Sequence, residues 1–272
     1  MASPTLSVVP EPRRRRIPPL RSGVYILPNL ITTGGLVAGF YSIICTHDGR
    51  YRTAAYMIVL AQICDMLDGR IARLTRATSS FGVQYDSLAD LIAFGVAPGF
   101  LVYTWALTPW GRWGWLAATG YVVCAALRLA RFNVQVGTVE KRFFVGLPSP
   151  AAAQVVASTV LLFYWVGGQG TPTKHVLMLL VIFAVAVLMV SEIRYFSFKE
   201  FHVHQRHPFP VLLALIAVAL LTIGAHQPML FLGMTGFAMS GPLSGFWRSV
   251  QKRRRRNRPV LAPPPGATTP PA

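Results

Sequence analysis

Runs of about 20 mostly apolar residues recur along the chain, separated by short polar or basic connectors. Eight such runs stand out, at approximately 24–45, 52–70, 84–107, 114–133, 148–167, 174–193, 209–226 and 228–247. Each is long enough, or nearly so, to cross the roughly 30 Å hydrocarbon core of a bilayer as an α-helix. The pattern predicts an all-α integral membrane protein with about eight transmembrane helices. Only His226, Gln227 and Pro228 separate the last two runs, which reads as a tight hairpin or one broken element. No repeat of roughly 20–50 residues is visible. The first run lacks an obvious small-residue cleavage site and seven more follow it, so it reads as a span and not as a removed signal peptide.

Composition agrees with the pattern. Of 272 residues 53% are hydrophobic and 13% charged, with a mean hydropathy of +0.47, values hard to reconcile with a polar-coated soluble domain. Lys and Arg number 26 against 9 Asp and Glu, a formal charge of +17. A soluble nucleic-acid binder could share that balance, but not with so little total charge. Cys45, Cys64 and Cys124 lie singly inside apolar runs with no C-x-x-C pair, which points to buried thiols rather than a disulfide framework or a zinc site.

The positive charge is concentrated at the ends and on one side. Residues 1–22 contain Pro12-Arg13-Arg14-Arg15-Arg16, and residues 249–272 combine Lys252 to Arg256 with five further prolines from Pro263 to Pro271. Both are expected as flexible basic tails, because neither has enough apolar surface to offset ordering. Beside a membrane they suit anionic head groups better than nucleic acid. With both tails cytoplasmic, the connectors at about 71–83, 128–147 and 194–208 fall on the same side. Those regions and the helix ends beside them hold Arg70, Arg73, Arg76, Arg128, Arg131, Lys141, Arg142, Arg194, Lys199 and Arg206. The opposite side has Arg50, Arg52, Arg112 and Lys174. Eight spans with both ends inside satisfy the positive-inside rule.

The candidate chemistry lies at the cytoplasmic ends of the second and third runs. Asp65, Asp68, Asp86 and Asp90 are four of the 9 acidic residues and sit in or beside spans. A carboxylate near hydrocarbon costs several kcal/mol unless compensated. Spacings of three and four residues put each pair on one helix face, so two facing helices would bring four hard oxygen ligands together. Arg70, Arg73 and Arg76 could neutralise part of this cluster, but four carboxylates are too many for them. All-oxygen ligation suits Mg²⁺ or Mn²⁺, and two divalent ions form an economical site for displacement at phosphorus. Gly69, Ala72 and Gly82 serve either as ordinary small residues in helix packing or as space for a ligand against the backbone.

Read in order, Asp65-x-x-Asp68-Gly69-x-x-Ala72-Arg73, then eight residues, then Gly82-x-x-x-Asp86-x-x-x-Asp90, resembles the signature of the CDP-alcohol phosphatidyltransferase family, with every defining position present. Further stretches are similar to the bacterial phosphatidylserine synthase branch: Leu27-Pro28-Asn29-Leu30-Ile31-Thr32, Phe94-Gly95-Val96-Ala97-Pro98, Arg128-Leu129-Ala130-Arg131-Phe132-Asn133, Gly146-Leu147-Pro148-Ser149-Pro150-Ala151 and Met189-Val190-Ser191-Glu192-Ile193-Arg194-Tyr195. The likeness runs from about residue 24 to 200. It implies a catalytic domain at 23–200 with six helices as its core, and usually a homodimer; the apolar runs beyond it give a C-terminal helix pair at 201–248, and the charge distribution puts the active site on the cytoplasmic side of the cell (inner) membrane.

The resemblance also implies roles. Asp65, Asp68 and Asp86 would ligate two divalent ions, with Asp90 binding the second and acting as general base. CDP-diacylglycerol would be the donor and CMP the leaving product. Gly69 and Arg73 match donor-binding positions, beside Ala72 and Gly82, and Asn29, Thr32 and Ser79 are further candidates for that site. An L-serine acceptor brings a carboxylate and an ammonium, so it needs a fixed cation near the metals. Arg128, Arg131 and Asn133 at the end of helix four and Arg194 at the end of helix six are the candidates, though each arginine could instead be an interfacial residue whose charged head snorkels to water. Glu192 could orient one of the arginines or hold the ammonium. The same transfer to glycerol 3-phosphate, inositol phosphate or choline is the alternative within the family. Transport is the alternative outside it, disfavoured because the acids cluster toward one face and no repeat is visible.

Overall fold

The computed structural model describes residues 26–75, 79–135, 144–170, 176–195 and 224–256. The N-terminal tail, nearly all of the run at 209–226 and residues 257–272 lie outside that set. Seven helices are described: α1 (Ile26–His47), α2 (Tyr51–Thr75), α3, α4 (Arg112–Gln135), α5 (Ser149–Trp165), α6 (Val176–Val190) and α7 (His226–Arg256). Helix α3 is continuous from Ser80–Asp90 through a π segment Leu91–Val96, an α segment Ala97–Val102, a second π segment Tyr103–Leu107 and a closing 3₁₀ turn Thr108–Trp110. Apart from a two-residue strand pair, β1 (Phe144–Val145) with β2 (Arg194–Tyr195), the described chain is helical.

Among the described residues, three helices are long and apolar enough to cross a membrane: Ile26–His47, Phe81–Trp110 and Arg112–Val134. Ser149–Trp165 and Met178–Val190 are shorter apolar helices. Helix α2 has the length but carries Arg52, Asp65, Asp68, Arg70 and Arg73, which dilute its hydropathy. The first six apolar runs each become a helix whose ends fall within a few residues of the expected ones. The eighth runs on through Arg256, past the 248 boundary, with Pro242 inside it.

Tight turns set the helix ends. Gly49 (φ +74°) closes α1, where the Gly49 and Arg50 amides bond back to the Thr46 and Cys45 carbonyls; only a residue free of Cβ strain suits that left-handed cap. In the same loop Arg50 Nη2 lies 2.9 Å from Asp48 Oδ2. That hydrogen bond holds the Asp48 carboxyl below its ordinary range and neutralises one of the few cations expected on the outer side. The strands pair antiparallel, Phe144 with Tyr195 and Val145 with Arg194. Together with Gly146 N–H to Ile193 O (2.9 Å) and Leu147 N–H to Leu188 O (2.9 Å), they tie the connector before α5 to the end of α6.

Packing relies on small residues where helices cross. A Cβ on Gly39 of α1 would stand 2.7 Å from Ala93 Cα, and one on Gly35 would stand 3.4 Å from Cys64 Cβ, so α1 lies close against both α3 and α2. One apolar core joins Ile58, Phe94, Leu101, Trp105 and Leu161 across α2, α3 and α5, and a second joins Tyr121, Leu147, Ile182, Met189 and Tyr195. Helix α7 spans the length of this body. Near its start Tyr56 Oη meets His226 Nε2 (3.0 Å) and accepts from Gln227 Nε2 (2.6 Å); further along, Tyr195 Oη donates to the Ala238 carbonyl (3.1 Å).

Candidate active site

Helices α1, α2 and α3 converge where α2 ends and α3 begins. Asp65 and Asp68 project from the last turns of α2 and Asp86 from the second turn of α3, as their three- and four-residue spacings anticipate. One carboxylate oxygen from each of Asp65, Asp68 and Asp86 lies within 4.8 Å of the others. Asp68 is buried and Asp65 and Asp86 are half-buried. Three carboxylates this close in a low-dielectric setting repel one another, and all-oxygen donors at this spacing fit a divalent cation. Asp90 is one turn further along α3 and lines the same inner cavity, whose remaining wall is Thr32, Gly35, Ala61, Ala89, Ala93 and Phe94.

A wider cleft opens from this cluster, lined by Pro28, Asn29 and Thr32 of α1, Asp68, Gly69 and Ala72 of α2, and Ser79, Gly82, Val83 and Asp86 at the start of α3. Six of the seven residues expected to contact the donor therefore share one surface: Asn29, Thr32, Gly69, Ala72, Ser79 and Gly82. The seventh, Arg73, is exposed at the rim, with Nη1 3.7 Å from where a Cβ on Gly69 would stand. Ser79 caps α3, its Oγ accepting from the Gly82 amide at 2.9 Å. A Cβ at Gly82 would sit 3.1 Å from that Oγ and 3.2 Å from Asn29 Oδ1, crowding the cleft. The first turn of α3 thus borders the cleft with its Gly82 and Val83 amides bonded back to Ser79, through Oγ and the carbonyl.

Thr32 has a more specific role than its sequence position suggests. Its Oγ1 donates to Asp68 Oδ2 at 2.7 Å and fixes the most buried carboxylate of the cluster. Beside it, Thr33 Oγ1 and Tyr85 Oη are 2.9 Å apart and join α1 to α3. Such partners lie across helices, where local spacing carries no signal for them.

The four candidates for the acceptor site separate in space. Arg128 faces inward, donates from Nη1 to the buried Ser149 Oγ (2.8 Å) and lies near enough to Asp90 for charge attraction. Its buried Nε has no hydrogen-bond partner among the described residues. Arg131 instead reaches α6, with Nη1 3.5 Å from the Val190 carbonyl and Nη2 3.9 Å from the exposed Glu192 carboxylate. Asn133 exchanges hydrogen bonds with Ser87 of α3 at 3.0 and 3.2 Å. Arg194 is placed by backbone pairing in β2, and its side chain lies outside the described set. Arg128 is thus the candidate beside the carboxylates, while Arg131 and Asn133 join helices. Ser149 was missed as a site residue although it stands in the Gly146 to Ala151 stretch; an inward arginine that needs an acceptor was the available signal.

The sequence profile of the CDP-alcohol phosphatidyltransferase family matches residues 25–190, and the chain belongs to that family. It is 41% identical over 180 residues to the CDP-diacylglycerol–serine O-phosphatidyltransferase of Helicobacter pylori (strain ATCC 700392 / 26695), an alignment covering 65% of this chain and 74% of that protein. The protein of the same name from Mycobacterium leprae is 36% identical over 221 residues, 77% of this chain and 70% of the relative. An archaetidylserine synthase from Methanothermobacter thermautotrophicus is 37% identical over 171 residues, 62% and 69% of the two chains.

Proposed function

We propose that this protein transfers the phosphatidyl group of CDP-diacylglycerol to the hydroxyl of L-serine, releasing CMP, within phospholipid biosynthesis. The observation that carries the reading is the cleft on which six donor candidates meet, with the carboxylates of Asp65, Asp68 and Asp86 at its inner end. Serine is common to the names of the bacterial and archaeal relatives.

In the transfer, the serine Oγ attacks the phosphorus of the phosphatidyl group, the bond from that phosphorus to the CMP oxygen breaks, and the serine hydroxyl proton leaves to a base. Asp65, Asp68 and Asp86 would hold two divalent ions, Mg²⁺ or Mn²⁺, with Asp90 completing the second site. When bound, such ions supply positive charge to the diphosphate and to the departing CMP. Asp90 accepts the hydroxyl proton as the new bond forms. Arg73 suits a charge-assisted contact with donor phosphate. Gly69 and Gly82 leave the backbone open to the ligand. Arg128, whose charge is felt at Asp90, would supply the fixed cation that a serine carboxylate requires.

Thr32→Val keeps the shape of the side chain but removes the hydrogen bond to Asp68. It should raise the divalent-cation concentration for half-maximal CMP release about 10- to 100-fold, the usual cost of losing a group that orients a metal ligand. A Mn²⁺ titration of the two proteins reads this directly, and superimposable curves would sever Thr32 from the metal site.

The proposed orientation puts both termini and the active site on the cytoplasmic face of the cell membrane, with eight spans. His226 meets Tyr56 near the start of α2, and the span proposed for 209–226 lies almost wholly outside the described residues. Single cysteines near positions 10, 77, 138 and 262 of a cysteine-free variant should react with a membrane-impermeant thiol reagent only from inside, and those near 48, 110 and 170 only from outside. Labelling of 262 from outside with 10 still inside would mean an odd number of spans. The homodimer and the contacts of the basic tails with anionic head groups complete this proposal.

The acceptor is tested by incubating purified protein with CDP-diacylglycerol, Mn²⁺ and L-serine, glycerol 3-phosphate, inositol phosphate or choline separately. Serine alone should stimulate CMP release. Stimulation by another alcohol in its place would keep the family chemistry and overturn the serine assignment.

A further inference from the structure

Directly after Asp90, α3 leaves the α-helical hydrogen-bond register. Residues Leu91–Val96 form a π segment in which the Ala97 amide bonds to the Ile92 carbonyl, five residues back. Such wide turns are less well bonded than an α-helix and usually mark a site where geometry is being set. Pro98 lacks an amide hydrogen, so it cannot supply the usual i+4 donor to the Phe94 carbonyl. That oxygen receives its hydrogen bond from another helix: Tyr121 Oη of α4 donates to Phe94 O at 3.0 Å, from a side chain that is wholly buried. The segment is also gripped from two sides, since a Cβ on Gly39 of α1 would meet the Ala93 backbone and one on Gly95 would stand 3.4 Å from Ala125 Cβ of α4. Ala93 and Phe94 are themselves part of the wall of the cavity that holds Asp65, Asp68, Asp86 and Asp90.

A register shift of one residue beside Asp90 rotates everything before it relative to everything after it, by far more than a reacting carboxylate tolerates. We propose that Tyr121 is a positioning residue for the transfer: its hydroxyl, bonded to the Phe94 carbonyl that Pro98 leaves without an i+4 donor, holds the π register that aims Asp90 into the carboxylate cavity. It rests on the serine-transfer reading above only in using that reaction as its readout. Tyr121 touches no substrate in this account and acts through the α3 backbone. An apolar ring of the same size would fill the same space without fixing the register, so the hydroxyl alone is what the proposal concerns.

The test is a double-mutant cycle of Tyr121→Phe and Pro98→Ala, with kcat, both KM values and thermal unfolding measured on purified full-length protein. Tyr121→Phe should lower kcat per folded molecule about tenfold, within the range expected when a reacting group is misplaced by a fraction of an ångström to an ångström, with both KM values within about twofold of the parent. Pro98→Ala gives the Phe94 carbonyl an amide donor, so in that background Tyr121→Phe should cost less than about twofold. An unchanged kcat in Tyr121→Phe, or the same tenfold loss in both backgrounds, overturns the proposal. A lowered melting temperature with full kcat per folded molecule would reduce Tyr121 to a packing residue and overturn it as well. Should Tyr121→Phe alone fail to accumulate, the comparison of Pro98→Ala with the double variant decides: equal kcat supports the proposal and a large drop refutes it. If the parent protein shows no serine-dependent CMP release, the failure belongs to the assigned reaction, and the cycle is read with whichever acceptor stimulates release.

Discussion

Asp65→Asn, Asp68→Asn, Asp86→Asn and Asp90→Asn should each lower CMP release by about 10²- to 10³-fold, the loss typical of removing one group that stabilises developing charge. Asn matches Asp in shape and keeps one oxygen, so the change isolates charge and basicity. The folded state should not suffer, because each substitution removes one member of a repelling group whose acids are buried or half-buried. Melting temperatures measured without divalent cations should therefore stay level or rise. The four variants should also divide. Asp65, Asp68 and Asp86 bring their oxygens within 4.8 Å of one another, so Asn at any of them should abolish most of the stabilisation that Mn²⁺ gives the parent. Asp90→Asn should keep more of that stabilisation while losing turnover. Chelator should silence the parent completely. Near-normal turnover in any two variants would contradict the two-ion reading.

The second large effect concerns the acceptor. Arg128→Gln should raise KM for serine by about 10- to 100-fold, corresponding to loss of a hydrogen bond to a charged group worth about 1.5–3 kcal/mol, and should leave KM for CDP-diacylglycerol within about threefold. Arg131→Gln should do much less, because its guanidinium is already directed to the Val190 carbonyl at the end of α6 and to Glu192 just beyond it. Sequence alone ranks these two arginines equally, three residues apart on one helix face. The buried Nε of Arg128, its bond to Ser149 and its proximity to Asp90 break the tie. Arg73→Gln should show the opposite pattern, weakening the donor. Serine kinetics unchanged in Arg128→Gln, with only the protein yield reduced, would make Arg128 an interfacial anchor and move the acceptor site toward Glu192 and Arg194.

The helices were legible because bilayer thickness imposes a length on apolar runs and the turns between them carry their own signals, such as the left-handed Gly49 that ends α1. The carboxylate cluster was legible because carboxylates near hydrocarbon are costly and these four are spaced at helical intervals on two adjacent helices. The signature gathered residues that share a cleft: Asn29, Thr32, Gly69, Ala72, Ser79 and Gly82. Contacts between helices far apart in sequence were not legible. Nothing in the local pattern links Thr32 to Asp68, Ser87 to Asn133 or Arg128 to Ser149, which are 36, 46 and 21 residues apart. The π segment after Asp90 escaped for a related reason. Pro98 marks a missing amide donor, but whether a helix kinks, breaks or widens there depends on what neighbouring helices offer, here the hydroxyl of Tyr121.

The central claim is that this carboxylate-lined cleft joins a phosphatidyl group to serine, and product stoichiometry tests it most directly. Purified protein in detergent with CDP-diacylglycerol, Mn²⁺ and isotope-labelled L-serine should form one lipid-soluble labelled product for each CMP released, with both signals lost together in Asp90→Asn. CMP release that proceeds equally without serine, or labelled lipid formed undiminished in the Asp90→Asn protein, would contradict the account.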